Sequence, residues 1–295
     1  MKTRRANVGA ARLHEALDRT VKRQARGCRK ALKKCQRHFA TGEVHALRVR
    51  FRRLMALLEL PAVFLPGDLP EALQRRLKKA LDIFDGLRDT QVQQQHLRGL
   101  LRAFPAARLY RDHLQHREQK AIRKAARRLR RLKTKRLWKE LERLRRQVAR
   151  RGRSADAAGD ASAVSEALRA AFAATAQAQA RERGNRPAAI HRTRIAFKKY
   201  RYLVEALAAW SGSSTNVLRQ RLRAFQTLMG DIQDAEVLQR GAREFLRKNA
   251  VPPELGGPFL AALEAALERA LQAYLAGRSQ LHSLAPEKLQ LPELS

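Results

Sequence analysis

The chain has 295 residues, 44% of them apolar and only 5% aromatic, and its 63 Lys and Arg against 27 Asp and Glu give a formal charge of +36. That apolar share suffices for a packed core and excludes a disordered basic tail, while self-repulsion on this scale points to an anionic partner. No run approaches the roughly 20 apolar residues of a membrane span, and the basic start Met-Lys-Thr-Arg-Arg-Ala lacks the apolar stretch of a signal peptide, so a cytoplasmic protein without membrane insertion is expected.

Leu, Ala, Arg, Glu, Gln and Lys dominate and strand-favouring residues are sparse, which predicts an all-α fold. Apolar periodicity between breakers predicts helices over 8–39, 43–64, 68–102 and 107–150, then over 163–183, 187–211, 215–248 and 255–283. Thr41 and Asn185 fit as N-caps, the latter with Pro187 in the first turn. In the first helix Cys28 and Cys35 fall among Leu13, Leu17, Val21, Ala25, Leu32 and Phe39, and read as small buried hydrophobes in a reducing compartment. Lys22, Arg26, Arg29, Lys33 and Arg37 form a basic stripe on the same helix. From Arg117 to Arg153, 18 of 37 residues are Lys or Arg, with leucines recurring at helical spacing, so this stretch reads as one long basic amphipathic helix.

Residues 152–163 (GRSADAAGDASA) are small, polar and helix-poor, and read as a linker between an N-terminal helical bundle (1–151) and a C-terminal one (164–295). The halves repeat. His45-Ala-Leu-Arg48-Val49-Arg50-Phe51-Arg52-Arg53 aligns with His191-Arg-Thr-Arg194-Ile195-Ala196-Phe197-Lys198-Lys199 at an offset of 146, and Leu57 and Glu59 align with Leu203 and Glu205. Further on, Leu87-Arg88-Asp89 and Val92 align with Ile232-Gln233-Asp234 and Val237 at an offset of 145. Two matches in the same order at nearly one offset mark a tandem duplication. Four helices per half then predict two tandem four-helix bundles about a pseudo-two-fold axis.

Within the repeated segment Val44, Leu47, Phe51, Leu54 and Leu58 form an apolar stripe, and His45, Arg48 and Arg52 run beside it. In the second half Ile190, Phe197, Tyr200, Val204 and Leu207 are flanked by His191, Arg194, Lys198 and Arg201. Each helix thus carries a row of cations next to a buried face, an arrangement that can meet successive units of a linear phosphate chain with charge-assisted hydrogen bonds. A solvated face is the alternative for the stripes, as is interfacial packing for the two histidines.

The doubled H-x-x-R-[VI]-x-F-[RK]-[RK] segment, each followed some 40 residues later by L-R-D-x-x-V or I-Q-D-x-x-V, resembles the CHAD domain, the conserved histidine α-helical domain, over nearly the whole chain. The resemblance implies a single domain over 1–295: two four-helix bundles around a basic central groove or pore that binds inorganic polyphosphate without catalysis, with targeting to polyphosphate granules. It implies ligand contacts from His45, Arg48, Arg52, His191, Arg194, Lys198 and Arg201, with Arg53, Lys199 and Arg88 as further contacts and Asp89 and Asp234 as braces. Lys22, Arg26, Arg29 and Lys33 join the expected polyphosphate-binding set on charge. Gln233 stands where the first half has Arg88, and Met55 where the second has Arg201, so the halves are not expected to contact phosphate equally. The Glu-x-Glu-x-Lys strand of the triphosphate-tunnel domains that often accompany this one is absent, which predicts a stand-alone module.

There is no phosphate-binding glycine loop, zinc-protease helix or paired-cysteine motif, and neither enzyme nor cofactor is expected. Asp112, His113 and His116 have ligand-like spacing, but Arg111 and Arg117 flank them and no metal site is expected. A nucleic-acid binder using the basic 117–153 helix is the alternative function, with polyanions in general and a scaffold on ribosomes or anionic membrane behind it.

Overall fold

A computed structural model describes residues 2–154, 157, 159–183, 186–208 and 215–289, with side chains from Leu13 onward. All regular structure among them is helical: α1 (Lys2–His38), α2 (Thr41–Leu57), the single turn α3 (Glu59–Ala62), α4 (Leu69–Asp82), α5 (Asp85–Leu97), α6 (Pro105–Arg130), α7 (Thr134–Arg151), α8 (Asp160–Ala180), α9 (Pro187–Ala208), α10 (Thr215–Lys248) and α11 (Pro253–Gly277). Two 3-10 turns follow, Arg278–Leu284 and Pro286–Lys288.

The helices follow the apolar periodicity, and the differences from expectation have local causes. Thr41 is the first residue inside α2, with Ala40 at the cap; Asn185 lies outside the described residues. The expected helix over 68–102 is broken at Ile83 and Phe84, where Phe84 turns fully into the core and packs near Phe39, ring centroids 6.4 Å apart. At the break the Leu81 carbonyl accepts from Phe84 N at 3.0 Å and also from Arg48 of α2 at 3.2 Å, and Arg48 pairs as well with Asp85 at the start of α5. A helix end needs such a partner when buried. The long basic helix expected over 117–153 is two helices, interrupted at residues 131–133, so that α6 packs on α5 and α11 while α7 packs on α1 and α4. The linker is shorter than expected, because α8 begins at Asp160, whose carboxylate is buried between His14 (2.9 Å) and Arg151 (2.9 Å). Ala157 is buried as well. The last expected helix ends at Gly277 and continues as a 3-10 turn.

The core does not divide at the linker. The main apolar cluster joins Leu47, Phe51 and Leu54 of α2 to Phe197, Tyr200 and Val204 of α9, and extends into α1, α4, α7, α8 and α10. A second cluster sets Leu97, Ala106 and Tyr110 from the first half against Leu238, Ala242 and Phe259 from the second. Cys28 and Cys35 are free and fully buried in the main cluster, where burial pushes both thiols up to about 12. Helix contacts recur across the halves: α1 touches α8, α2 touches α9, α5 touches α10 and α6 touches α11.

Two ion pairs tie α2 and α3 to α9. Arg53 Nε donates to Glu205 at 3.2 Å, and Lys199 Nζ meets Glu59 at 2.9 Å. At the 146-residue offset Arg53 corresponds to Lys199 and Glu59 to Glu205, so one contact is repeated in exchanged form. The two differ in environment: the Glu205 side chain is 6% exposed and also lies 3.6 Å from Arg201, whereas Lys199 is 58% exposed. Breaking a buried pair strands a charge, while an exposed pair contributes little. Urea denaturation should therefore find Glu205→Gln destabilised by about 3 kcal/mol and Glu59→Gln by less than about 1 kcal/mol; equal losses would contradict the ranking.

Candidate anion-binding site

α2 and α9 bury their apolar stripes against each other and the rest of the core, which turns the neighbouring cation rows toward one cavity of about 730 Å³. α5 and α10 form its remaining walls. From α2 come His45, Arg48, Arg52 and Arg53; from α9 come His191, Arg194, Arg201 and Tyr202. Arg88 enters from α5, with Asp89 and Gln93 beside it. The α10 wall supplies Arg223, Gln226, Thr227, Asp231, Gln233 and Asp234.

The cations are not equivalent. Arg48 is buried, held by Asp85 and by the Leu81 carbonyl, and so doubles as the fastening of the α4–α5 break. Arg201 is buried over the Tyr202 ring, 4.6 Å from its centroid, with Glu205 at 3.6 Å. Arg194, at the position equivalent to Arg48, faces the unbroken α10 and makes no ion pair among the described residues. Its Nε, together with Arg201 Nε and His191 Nδ1, is buried without a hydrogen-bond partner among the described residues. Lys198 is half-buried close to this group; burial first, then the charges of Arg52, Arg194, Arg48 and Arg201, bring its ammonium down to about 7. Burial and neighbouring guanidinium groups also push Arg52 and Arg194 down. His45 is lowered by burial and then by Arg88, Arg52 and Arg48; His191 by burial and then Arg194, against a hydrogen bond that its ring donates to Gln233. Both imidazoles therefore favour the neutral form.

Carboxylates stand on the α5 and α10 side. Burial raises Asp89, against Arg48 and with the like charges of Asp85 and Asp234. Asp231 is raised by burial and by Asp234, which in turn lies 3.6 Å from His96 and raises that histidine through a hydrogen bond. Asp234 also offsets the depression of Arg88 and Arg194. The cavity is thus polarised, with cations crowding the α2–α9 side and acids tempering the opposite wall.

Eight of the expected residues line one space: His45, Arg48, Arg52, Arg53, Arg88, His191, Arg194 and Arg201; Lys198 is not part of that lining but lies close enough to feel Arg52, Arg194, Arg48 and Arg201. Five others do not belong to it. Lys199 points outward to Glu59. Lys22, Arg26, Arg29 and Lys33 are exposed on α1, because the stripe of Leu17, Val21, Ala25, Cys28 and Leu32 beside them faces the core and leaves the cations on the outer side. Met55, the counterpart of Arg201, packs against the main core and adds no charge. Sequence reasoning missed Arg223, Tyr202, Gln226, Thr227 and Asp231. The 223, 226, 227, 230, 233, 234, 237 spacing on α10 carried that signal: it is one polar helix face. Among the described residues no group of three or more His, Cys, Asp or Glu is placed to hold a metal, and Asp112 is occupied by Arg111 at 2.7 Å.

A crowded cation cavity on an all-helical frame is the context in which relatives become informative. The family model of the CHAD domain matches residues 11–243, and the chain belongs to that family. Its fold is similar to that of the CHAD domain from the plant Ricinus communis, with a TM-score of 0.67 at 23% identity over 95% of this chain and 94% of that one. It is also similar to PptA from Streptomyces chartreusis, with a TM-score of 0.57 at 17% identity over 90% of this chain and 99% of that one. At these identities the two structures share the fold. No curated protein matches the chain. Among the described residues no helix is long and apolar enough to cross a membrane.

The depressed Lys198 has a consequence for stability. Between its folded value of about 7 and the ordinary lysine value of 10.5, the unfolded chain binds a proton that the folded one does not. Stability then rises with pH across that window, and the gain is lost as pH falls toward 7. Chemical denaturation of the ligand-free protein should show this rise, and Lys198→Met should flatten it; an unchanged slope in the variant would assign the effect elsewhere.

Proposed function

We propose that the cavity is a non-catalytic binding site for inorganic polyphosphate. The observation that carries this reading is the group of Arg52, Arg194 and Lys198, each lowered first by burial and then by neighbouring cations (Arg48 and Arg194 at Arg52, Arg201 at Arg194, all four arginines at Lys198), with no ion pair among the described residues. Such a cluster is costly when empty and is relieved by an anion that brings several charges at once. A bare phosphate chain meets that need without side groups to accommodate. Nucleic acid fits the cavity less well: Tyr202 is its one lining aromatic ring other than the histidines, and Arg201 covers its face, which leaves no free platform for a base. The roles assigned to the lining groups are charge pairing and hydrogen bonding from neutral imidazoles; none is assigned a nucleophilic role.

The frame behind the site is read as one domain of two repeats, 1–151 and 164–295, about a pseudo-two-fold axis. Two observations support it: the exchanged pairs Arg53–Glu205 and Lys199–Glu59, and the contacts of α1 with α8, α2 with α9, α5 with α10 and α6 with α11, including His14 with Asp160 at the same 146-residue offset. Reciprocal contact of equivalent residues is the signature of an isologous interface. Accumulation at polyphosphate granules would follow from the affinity itself.

Calorimetric titration with long-chain polyphosphate tests the reading. Combining Arg52→Ala, Arg194→Ala and Lys198→Ala should weaken binding at least about hundredfold, since each lost charge-assisted bond is worth roughly 1.5–3 kcal/mol. The same variant should be as stable as the parent or more so, because the repulsion is removed. Undiminished affinity would sink the proposal.

A further inference from the structure

The cavity leaves most of the excess charge unused. α1 and α7 lie side by side and antiparallel: Arg145 Nε donates to Asp18 at 2.8 Å, and Arg29 sits over the Trp138 ring at 5.0 Å, so ascending residues of α1 meet descending residues of α7. Their inner sides are sealed into the core by Val21, Cys28 and Leu32 on α1 and by Leu137, Leu141, Leu144 and Val148 on α7. On its outer side α7 exposes Lys139, Arg143, Arg146 and Arg150 along a crevice of about 660 Å³. Lys22, Arg26 and Lys33 are exposed on α1.

These cations differ from their neighbours in having no paired carboxylate among the described residues. Arg145 is held by Asp18 and Glu142, Arg136 by Glu140, and Arg151 by Asp160. Lys139, Arg143, Arg146 and Arg150 make no side-chain hydrogen bond or ion pair among the described residues, and neither do Lys22, Arg26 and Lys33. A fold that pairs the inner charges and leaves two adjacent outer rows unpaired presents a rigid cationic surface.

We propose that this α1–α7 face is a second binding site, separate from the cavity, for the phosphate backbone of double-stranded nucleic acid. Two rows on neighbouring helices offer one set of contacts to each strand, whereas a single phosphate thread is better enclosed by the cavity. From Lys139 to Arg150 the α7 row runs roughly 16 Å at about 1.5 Å per residue, the axial rise of four or five nucleotides of one strand at about 3.4 Å of duplex axis each. Trp138 is partly buried and covered by Arg29, so single-strand stacking has no platform there. Phosphate contacts position without reading sequence, and binding at this face is sequence-independent and steeply salt-dependent.

The test uses the full chain, a labelled DNA duplex of about 20 base pairs, the matching single strand and long-chain polyphosphate, each measured by anisotropy or calorimetry over a salt series. The parent should prefer the duplex to the single strand. K139A/R143A/R146A/R150A should weaken duplex binding at least tenfold and reduce the slope of log K against log salt by up to about 3.6, near 0.9 for each of four lost phosphate contacts. K22A/R26A/K33A should lower both as well, by somewhat less. Polyphosphate affinity should stay within about twofold in both variants, and R52A/R194A/K198A should leave duplex binding intact whether or not it affects polyphosphate. Unchanged duplex binding in the α7 variant, a preference for the single strand, or an equal loss of polyphosphate binding would each overturn the proposal; the last would make this face part of a polyphosphate surface.

Discussion

Like charges held close together in a partly desolvated space are the constraint on which the rest of this structure depends. Two unit charges about 4 Å apart interact by roughly 4 kcal/mol at the effective dielectric near a protein surface. Lys198 feels Arg52, Arg194, Arg48 and Arg201 together, and their charges, added to the larger effect of burial, bring it down to about 7. The cluster can exist only because the helices beneath it are fixed by something stronger. That is the apolar seam of α2 and α9, in which Phe51, Phe197 and Tyr200 have no exposed surface.

The chain limits the repulsion by giving some cations structural work. Arg48 satisfies the α4 terminus and pairs with Asp85, while Arg53 and Arg201 share the buried Glu205. Arg52, Arg194 and Lys198 have no such structural partner among the described residues, and the proposed ligand would meet them. The division runs across the duplication rather than along it: Arg48 and Arg194 occupy equivalent positions, yet one fastens a helix break and the other faces an unbroken helix. Duplication supplied two rows; divergence assigned them different tasks. The same economy holds on the outside, where Arg145 and Arg151 are paired and the outermost basic residues of α7 are not.

Much of this was legible in the sequence. The doubled His-x-x-Arg segment located α2, α9 and seven lining residues, and the Leu-Arg-Asp motif added Arg88, because amphipathic periodicity reports which side of a helix is buried. It does not report what lies across from the polar side, and so the α1 row was assigned to a site that it does not reach. The breaks at 83–84 and 131–133 were hidden for a different reason: neither contains Gly or Pro, and both arise from packing, Phe84 turning inward and α7 folding back onto α1. Arg223 was overlooked because the polar face of α10 mixes both signs and neutral residues, whereas those of α2 and α9 are nearly all cationic.

The account stands most directly on the claim that a phosphate chain fills the space beside Lys198 and restores its charge. Titration calorimetry with long-chain polyphosphate at pH 8, repeated in buffers of different ionisation enthalpy, measures the protons taken up on binding. A lysine resting near pH 7 is largely neutral at pH 8 and becomes an ammonium beside bound phosphate, so net uptake approaching one proton per site is predicted, and its loss in Lys198→Met. Tight binding with no proton uptake, or uptake that persists in the variant, would contradict it.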